Sequence, residues 1–450
     1  MPDTPSGSRG LPARQSLMVG VTLFSMFFGA GNLILPPLLG LQAGGQGVPA
    51  MIGFLVTGIG LPVLGIVAVA LAGTVRELAG RVHPRFACVF VAAVYLAIGP
   101  CLAIPRTSST AFEMLAPLLP AGAPLEVVRL VFSIVFFVAA YLLAMHPGRL
   151  TRLLGRVTGP ALIALIVVVV ASSLAAPTGG VAAVQAPYDG NAAVQGFLTG
   201  YQTMDLLASL TFGLVIATNI RELGVREPGG VAREVSRAGV VAGVLMALIY
   251  CGLAWVGASL GTVMPDATNG AALLTASATM HFGVVGTVVV ALIFLLACLN
   301  VCIGLISCCG TYFAETFGAE AEDVRGPLRG VPYRMWALAF AAFSCVLSNF
   351  GLDAILAFSV PLLGALYPMA IMLVLMGMAH RVCDARPQVW PWAIGFVGVA
   401  SVATALRDAL APGMWLPLDA LPLADLGLGW VLPAVAGLLV GALHANVAQR

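Results

Sequence analysis

Apolar residues in this chain are gathered into long unbroken runs, separated by short segments rich in Pro, Gly and Arg. A helix that crosses a bilayer needs about 20 mainly apolar residues at ~1.5 Å each. On that measure the sequence divides into twelve windows: 17–41, 48–73, 86–118, 126–145, 157–176, 193–219, 238–262, 282–314, 334–350, 352–379, 388–410 and 428–447. The pattern predicts an all-α polytopic membrane protein with about 12 transmembrane helices. The first window is too long for a signal-peptide core and lacks a small-residue cleavage site, so it reads as a retained span behind a polar tail, 1–16. The division between the ninth and tenth windows rests only on Asn349 and Gly351.

Two windows are interrupted, and they occupy matching places. The first carries Gly29-Ala30-Gly31-Asn32, with Pro36-Pro37 just beyond; the sixth carries Gly200-Tyr201-Gln202-Thr203-Met204-Asp205 in mid-span. A broken helix at the head of each set of five predicts two inverted repeats, 17–176 and 193–379, with two extra helices at 388–447. Irregular backbone at membrane depth persists only where it lines a cavity or is buried in protein, so the breaks mark the expected substrate site.

Composition removes the alternatives. Of 450 residues, 60% are hydrophobic and only 9% are charged, too few to clothe soluble domains of this total length. Collagen, coiled coil, disordered chain and secreted disulfide scaffold are excluded on the same grounds. The 21 basic residues are all Arg, and the net charge of +2 is not gathered into a stripe, so no nucleic-acid partner is expected. Nine Cys lie almost wholly within apolar runs without a C-x-x-C spacing and read as packing residues. Eighteen of the Arg fall in alternate loops and the termini, which by the positive-inside bias puts both termini in the cytoplasm. Only Arg106, Arg129 and Arg407 lie elsewhere.

Few side chains could carry chemistry. Two glycines at 29 and 31 would let the backbone leave helical geometry, and the half-helix beginning there offers free N–H groups and a positive dipole end to a carboxylate. Small-residue packing between helices is the plainer reading of the same stretch. Asp205 is the deepest carboxylate; a charge at mid-bilayer costs about 2.5–3.5 kcal/mol on insertion scales, so it faces a cavity or a partner. Arg106 has two candidate partners, Asp205 and Glu113. In the eighth window Asn300, Gly304 and Ser307 share one helix face, suited either to a hard cation or to a neighbouring helix. Phe27, Phe28, Tyr201, Met204 and Phe212 flank the breaks as candidate walls of an apolar side-chain pocket. H-E-x-x-H and the paired acidic motifs of membrane transferases are absent. That leaves a transporter, ahead of a membrane enzyme or a non-transporting sensor.

The run Ser25-Met26-Phe27-Phe28-Gly29-Ala30-Gly31-Asn32-Leu33-Ile34-Leu35-Pro36-Pro37 resembles the first-helix signature of the bacterial branched-chain amino acid:cation symporters, the BrnQ-type family. Similar blocks recur in order at 99–113, 200–213, 297–313 and 346–369. The resemblance implies a leucine-transporter-like fold with five-plus-five inverted repeats in the bacterial inner membrane. It implies import of Leu, Ile and Val driven by Na⁺ or H⁺, with no other cofactor and no enzymatic activity. Substrate contacts would come from Phe28, Gly29, Ala30, Gly31, Asn32, Arg106, Tyr201, Thr203, Met204 and Asp205. A sodium site would use the first-helix carbonyls near Ser25 and Phe28 together with Ser307. Where relatives tend to carry G-L-T-S, this chain has Gly304-Leu305-Ile306-Ser307 and so lacks one hydroxyl ligand.

Overall fold

The computed structural model describes residues 10–448 except 121, 146–156, 226, 319–329 and 412. Eight of the arginines used for orientation (9, 149, 152, 156, 226, 325, 329 and 450) lie outside the described residues. Among the described residues every regular element is helical. The first window folds as α1 (Ala13–Phe27) and α2 (Ala30–Ala43), the second as α3 (Gly47–Leu55) and α4 (Leu61–Ala72), joined by a widened turn at Val56–Gly60. A short α5 (Val75–Gly80) leads to α6 (Pro84–Leu96) and α7 (Ala103–Leu115) in the third window, then α8 (Leu125–Ala144) and α9 (Gly159–Ala175). The sixth window folds as α10 (Ala192–Tyr201) and α11 (Asp205–Glu222), the seventh as α12 (Pro228–Ser259). There follow α13 (Gly270–Phe282), α14 (Val284–Thr316), α15 (Tyr333–Ser348), α16 (Leu352–Met378), α17 (Val389–Leu410) and α18 (Val431–Ala448).

All twelve windows thus fall on helices. By length and composition seven helical stretches can cross a membrane, and the α10–α11 pair, bent by 48°, makes an eighth. The outward surface matches: α8 turns Val131, Val135 and Val138 away from the protein, each more than half exposed, as a face in lipid requires. Two features depart from expectation. The third window is not one long helix, because Gly99 (ψ −121°) and Pro100 break it between α6 and α7. The segment before the eighth window is not a loop. It holds α13, whose 13 residues reach only about 20 Å and cannot cross a bilayer.

Packing relates the two halves. Spans two and six meet backbone to backbone: a Cβ on Gly196 would lie 1.8 Å from the Ala50 carbonyl oxygen, and one on Gly53 1.8 Å from that of Ala193. Further along, Gly200 closes on Thr57 and Gly65 on Ser209, so the two spans run in the same direction. Spans one and seven repeat the arrangement, with Ser16 donating to Glu234 (3.0 Å), Gly20 against Val241, and Gly257 pressed on the Pro37 carbonyl. Exchanging each span for its counterpart five places away turns the first pairing into the second. The same exchange maps span ten on span two (Gly377 against Ala68) onto span five on span seven (Val170 against Gly252). This is the internal symmetry of two inverted five-span repeats. α17 and α18 pack outside them, with the Ser401 hydroxyl donating to the Ala365 carbonyl of α16 (3.0 Å).

Candidate functional site

The two breaks face each other across the middle of the bundle. In span one, α1 stops at Phe27; Phe28 (ψ 93°) and Gly29 (φ −120°, ψ −162°) are extended, and α2 starts at Ala30. Neither glycine serves the expected purpose. Extended dihedrals like those of Gly29 are open to any residue, and Gly31 already lies inside α2. What both supply is clearance. A Cβ on Gly29 would sit 3.0 Å from Val301, and one on Gly31 would sit 2.9 Å from Nη2 of Arg106. In span six the interruption is Gln202-Thr203-Met204, and Met204 is left-handed (φ 65°, ψ 6°), an uncommon state for a long side chain. The Thr203 hydroxyl holds that turn, donating to the Gly200 carbonyl (2.8 Å) and accepting from the Asp205 N–H (3.3 Å).

Between the breaks lies a small, largely enclosed cavity of about 40 Å³. Gly29, Ala30, Gly31, Asn32, Arg106, Thr203, Met204 and Asp205 line it. Phe28 and Tyr201 do not. Phe28 is fully buried against Phe24, ring centroids 4.9 Å apart, and Tyr201 stacks on Tyr367 at 4.5 Å on the other side of the span-six break. The apolar wall comes instead from Phe27 and Phe212 (5.5 Å apart), with Met26, Ile98, Val301 and Leu305.

Its polar groups are organised by charge. Asp205 is 2% exposed, and its Oδ2 accepts from Asn32 Nδ2 (2.8 Å) and from the Tyr250 hydroxyl (3.3 Å); the Asn32 amide also donates to Tyr250 (2.5 Å). One side chain from each of spans one, six and seven is thereby tied together. Tyr250 was not singled out from the sequence, although a phenol in mid-span is itself a signal, since its hydroxyl needs a partner away from water. Arg106 is 4% exposed and donates through Nη1 to the Gln202 carbonyl (2.9 Å), an orphan acceptor at the break, while its Nε has no hydrogen-bond partner. Neither carboxylate considered for it from the sequence forms an ion pair with it. Glu113 lines a different cavity, and among the described ion pairs none joins Arg106 to Asp205. A buried guanidinium and a buried carboxyl group therefore line one cavity with no direct ion pair between them.

Two side chains beside the expected sodium site are engaged with protein groups. The Ser25 hydroxyl donates to the Val21 carbonyl (3.0 Å), Ser307 accepts from Tyr333 (3.4 Å) towards spans four and nine, and neither lines the cavity. Asn300 is buried with its Nδ2 unpartnered.

Residues 12–448 match the family model described as "Branched-chain amino acid transport protein". The chain is 36% identical to the branched-chain amino acid permease BraB of Bacillus subtilis, over 96% of this chain and 95% of the relative. It is 38% identical to the branched-chain amino acid transport system 3 carrier protein of Pseudomonas aeruginosa, covering 95% of each. Among solved structures it is similar to a mutant of the manganese transporter of Eremococcus coleocola (TM-score 0.62, 13% identity, 99% of this chain and 97% of that one). It is also similar to MHP1, a nucleobase-cation-symport-1 family transporter (TM-score 0.58, 12% identity, 98% and 94%). These two likenesses establish the leucine-transporter-like fold.

Proposed function

Because the chain belongs to the branched-chain amino acid transport protein family, and so is a multi-pass membrane transporter rather than an enzyme, we propose that it imports Leu, Ile and Val by alternating access, driven by a cation gradient. The observation that carries this reading is the cavity between the breaks. There a buried Arg106 and a buried Asp205 face the same space as the N-terminus of α2. A zwitterion satisfies all three: its carboxylate meets the free N–H groups of α2 and the Arg106 guanidinium, its ammonium meets Asp205. The branched side chain lies against Phe27, Phe212 and Val301. At about 40 Å³ the cavity is room for little more than water, so substrate enters by parting the half-helices. The repeats run over 17–176 and 193–379, with 388–447 outside them, and both termini are cytoplasmic in the inner membrane.

The coupling ion in this reading is Na⁺, held by helix-end carbonyls of α1, which are hard oxygen ligands. A second reading, a proton carried by Asp205, is favoured by the orientation of Ser307 towards Tyr333. Uptake of labelled leucine into proteoliposomes tests both. Under the first, replacing Na⁺ by choline at fixed pH stops accumulation. Under the second, accumulation follows an imposed pH gradient, ignores Na⁺, and loses its pH dependence in Asp205→Asn. Leucine binding without counterflow would instead mark a sensor.

A further inference from the structure

A second cavity, about 300 Å³, lies on the other side of the span-six break. Tyr201 and Gln202 line it, whereas the next three residues, Thr203, Met204 and Asp205, line the central one, so the break itself is the partition between the two. The other walls come from α16, α17 and the 418–430 segment. Its volume falls within the ~300–1,000 Å³ of small-molecule sites.

Its chemistry is divided. Leu198, Leu363 and Pro361 give it an apolar flank. Arg407 stands at its rim and pairs with Asp408 (2.8 Å) and with Asp419. Asp419 also accepts from the Leu416 N–H (2.7 Å); that bond and the guanidinium hold its carboxyl below the usual carboxylate range. Opposite charges are thus fixed side by side beside an aliphatic wall. The Tyr201 hydroxyl is buried in the lining beside Trp430, and its own O–H donates to no protein acceptor among the described residues. An unsatisfied donor in such a place costs on the order of 1–3 kcal/mol unless a ligand or water meets it.

We propose that this cavity is a second binding site, which takes an aliphatic amino acid as a zwitterion before it passes the span-six break. The carboxylate exchanges into the Arg407 pair, the ammonium takes Asp419 or Asp408, and the side chain lies on Leu198 and Leu363. The charge left over, one cation against two anions, turns away free anions. The proposal rests on the central site being an amino-acid site.

Gly364 gives a clean test, because nothing lies within 4 Å of where its Cβ would be, so a large side chain there fills the cavity without pushing on the helix backbone. Equilibrium binding of labelled leucine to the purified full-length protein in nanodiscs should saturate at two equivalents. Gly364→Trp should leave one. Gly31→Val, which blocks the central site, should leave the other, and the double variant none. A parent binding one equivalent that is unchanged in Gly364→Trp overturns the second site, as does loss of all binding in Gly31→Val alone. A parent binding no leucine removes the central reading and the proposal together, before any variant is made. Isoamylamine and isocaproate, each lacking one charge, should compete at least tenfold more weakly than leucine in Gly31→Val; equal competition would mean an apolar pocket indifferent to the zwitterion.

Discussion

The breaks in spans one and six reach the same result by different means. Span one is opened by missing side chains: Gly29 and Gly31 make room for Val301 and Arg106 while their own dihedrals are ordinary. In span six the non-helical residues Gln202, Thr203 and Met204 include no glycine. There Met204 is forced left-handed and the Thr203 hydroxyl supplies the hydrogen bonds the helix gave up. One break depends on clearance, the other on capping, and substitutions should separate the two.

The largest effect is expected at Gly31. Gly31→Val drives two methyls into the Arg106 guanidinium, and overpacking of this kind costs about 3 kcal/mol, roughly 100-fold in leucine affinity, with the protein still inserted. Normal affinity at the central site, read in the Gly364→Trp background, would mean that Arg106 moves freely and clearance is not the principle. Next comes Asp205→Asn, which keeps the shape but removes the charge facing the ammonium. At about 2 kcal/mol for a hydrogen bond to a charged group, a roughly 30-fold loss in affinity is expected by scintillation proximity binding. Thr203→Val removes both hydrogen bonds of the cap and should raise the half-saturating leucine concentration about fivefold, a net loss of ~1 kcal/mol. The smallest change is Gly29→Ala. Because φ −120° suits alanine, the only obstacle is Val301, so a loss of about twofold should vanish in the double variant Gly29→Ala, Val301→Ala. A large loss that Val301→Ala fails to relieve would return Gly29 to the role of a flexible hinge.

The same contrast explains what could be read from the sequence. Apolar windows found every span because bilayer thickness fixes a length that composition reveals directly. The span-one break announced itself through two glycines. The span-six break was found only through Asp205 and its polar neighbours, since Met204 has no sequence mark of a left-handed residue. Sequence does not separate Gly99-Pro100 from Pro36-Pro37: the first breaks the third window, while the second sits inside a continuous α2. α13 was missed because it is too short for the window that finds spans. Direction around a helix was the harder matter. Phe28 and Tyr201 neighbour the breaks in sequence yet turn away from the cavity, and Ser307 turns to Tyr333. Such choices are made by packing against partners that the periodicity of the sequence does not reveal. Tyr250, 45 residues from Asp205, belongs to the same class.

The seams between spans two and six and between spans one and seven have a mechanical consequence. At α2 and α10 the contact is backbone on backbone, through Gly40, Gly257, Gly53 and Gly196; at α1 and α11 it is made largely by side chains such as Val241, Ser209 and Val69. Main chains in direct contact have no rotamers to absorb shear, while side chains do. Each broken span is therefore a lever clamped over one half of its length and sprung over the other, with the fulcrum at the cavity. Force applied to the sprung arms bends each broken span at the cavity between the breaks.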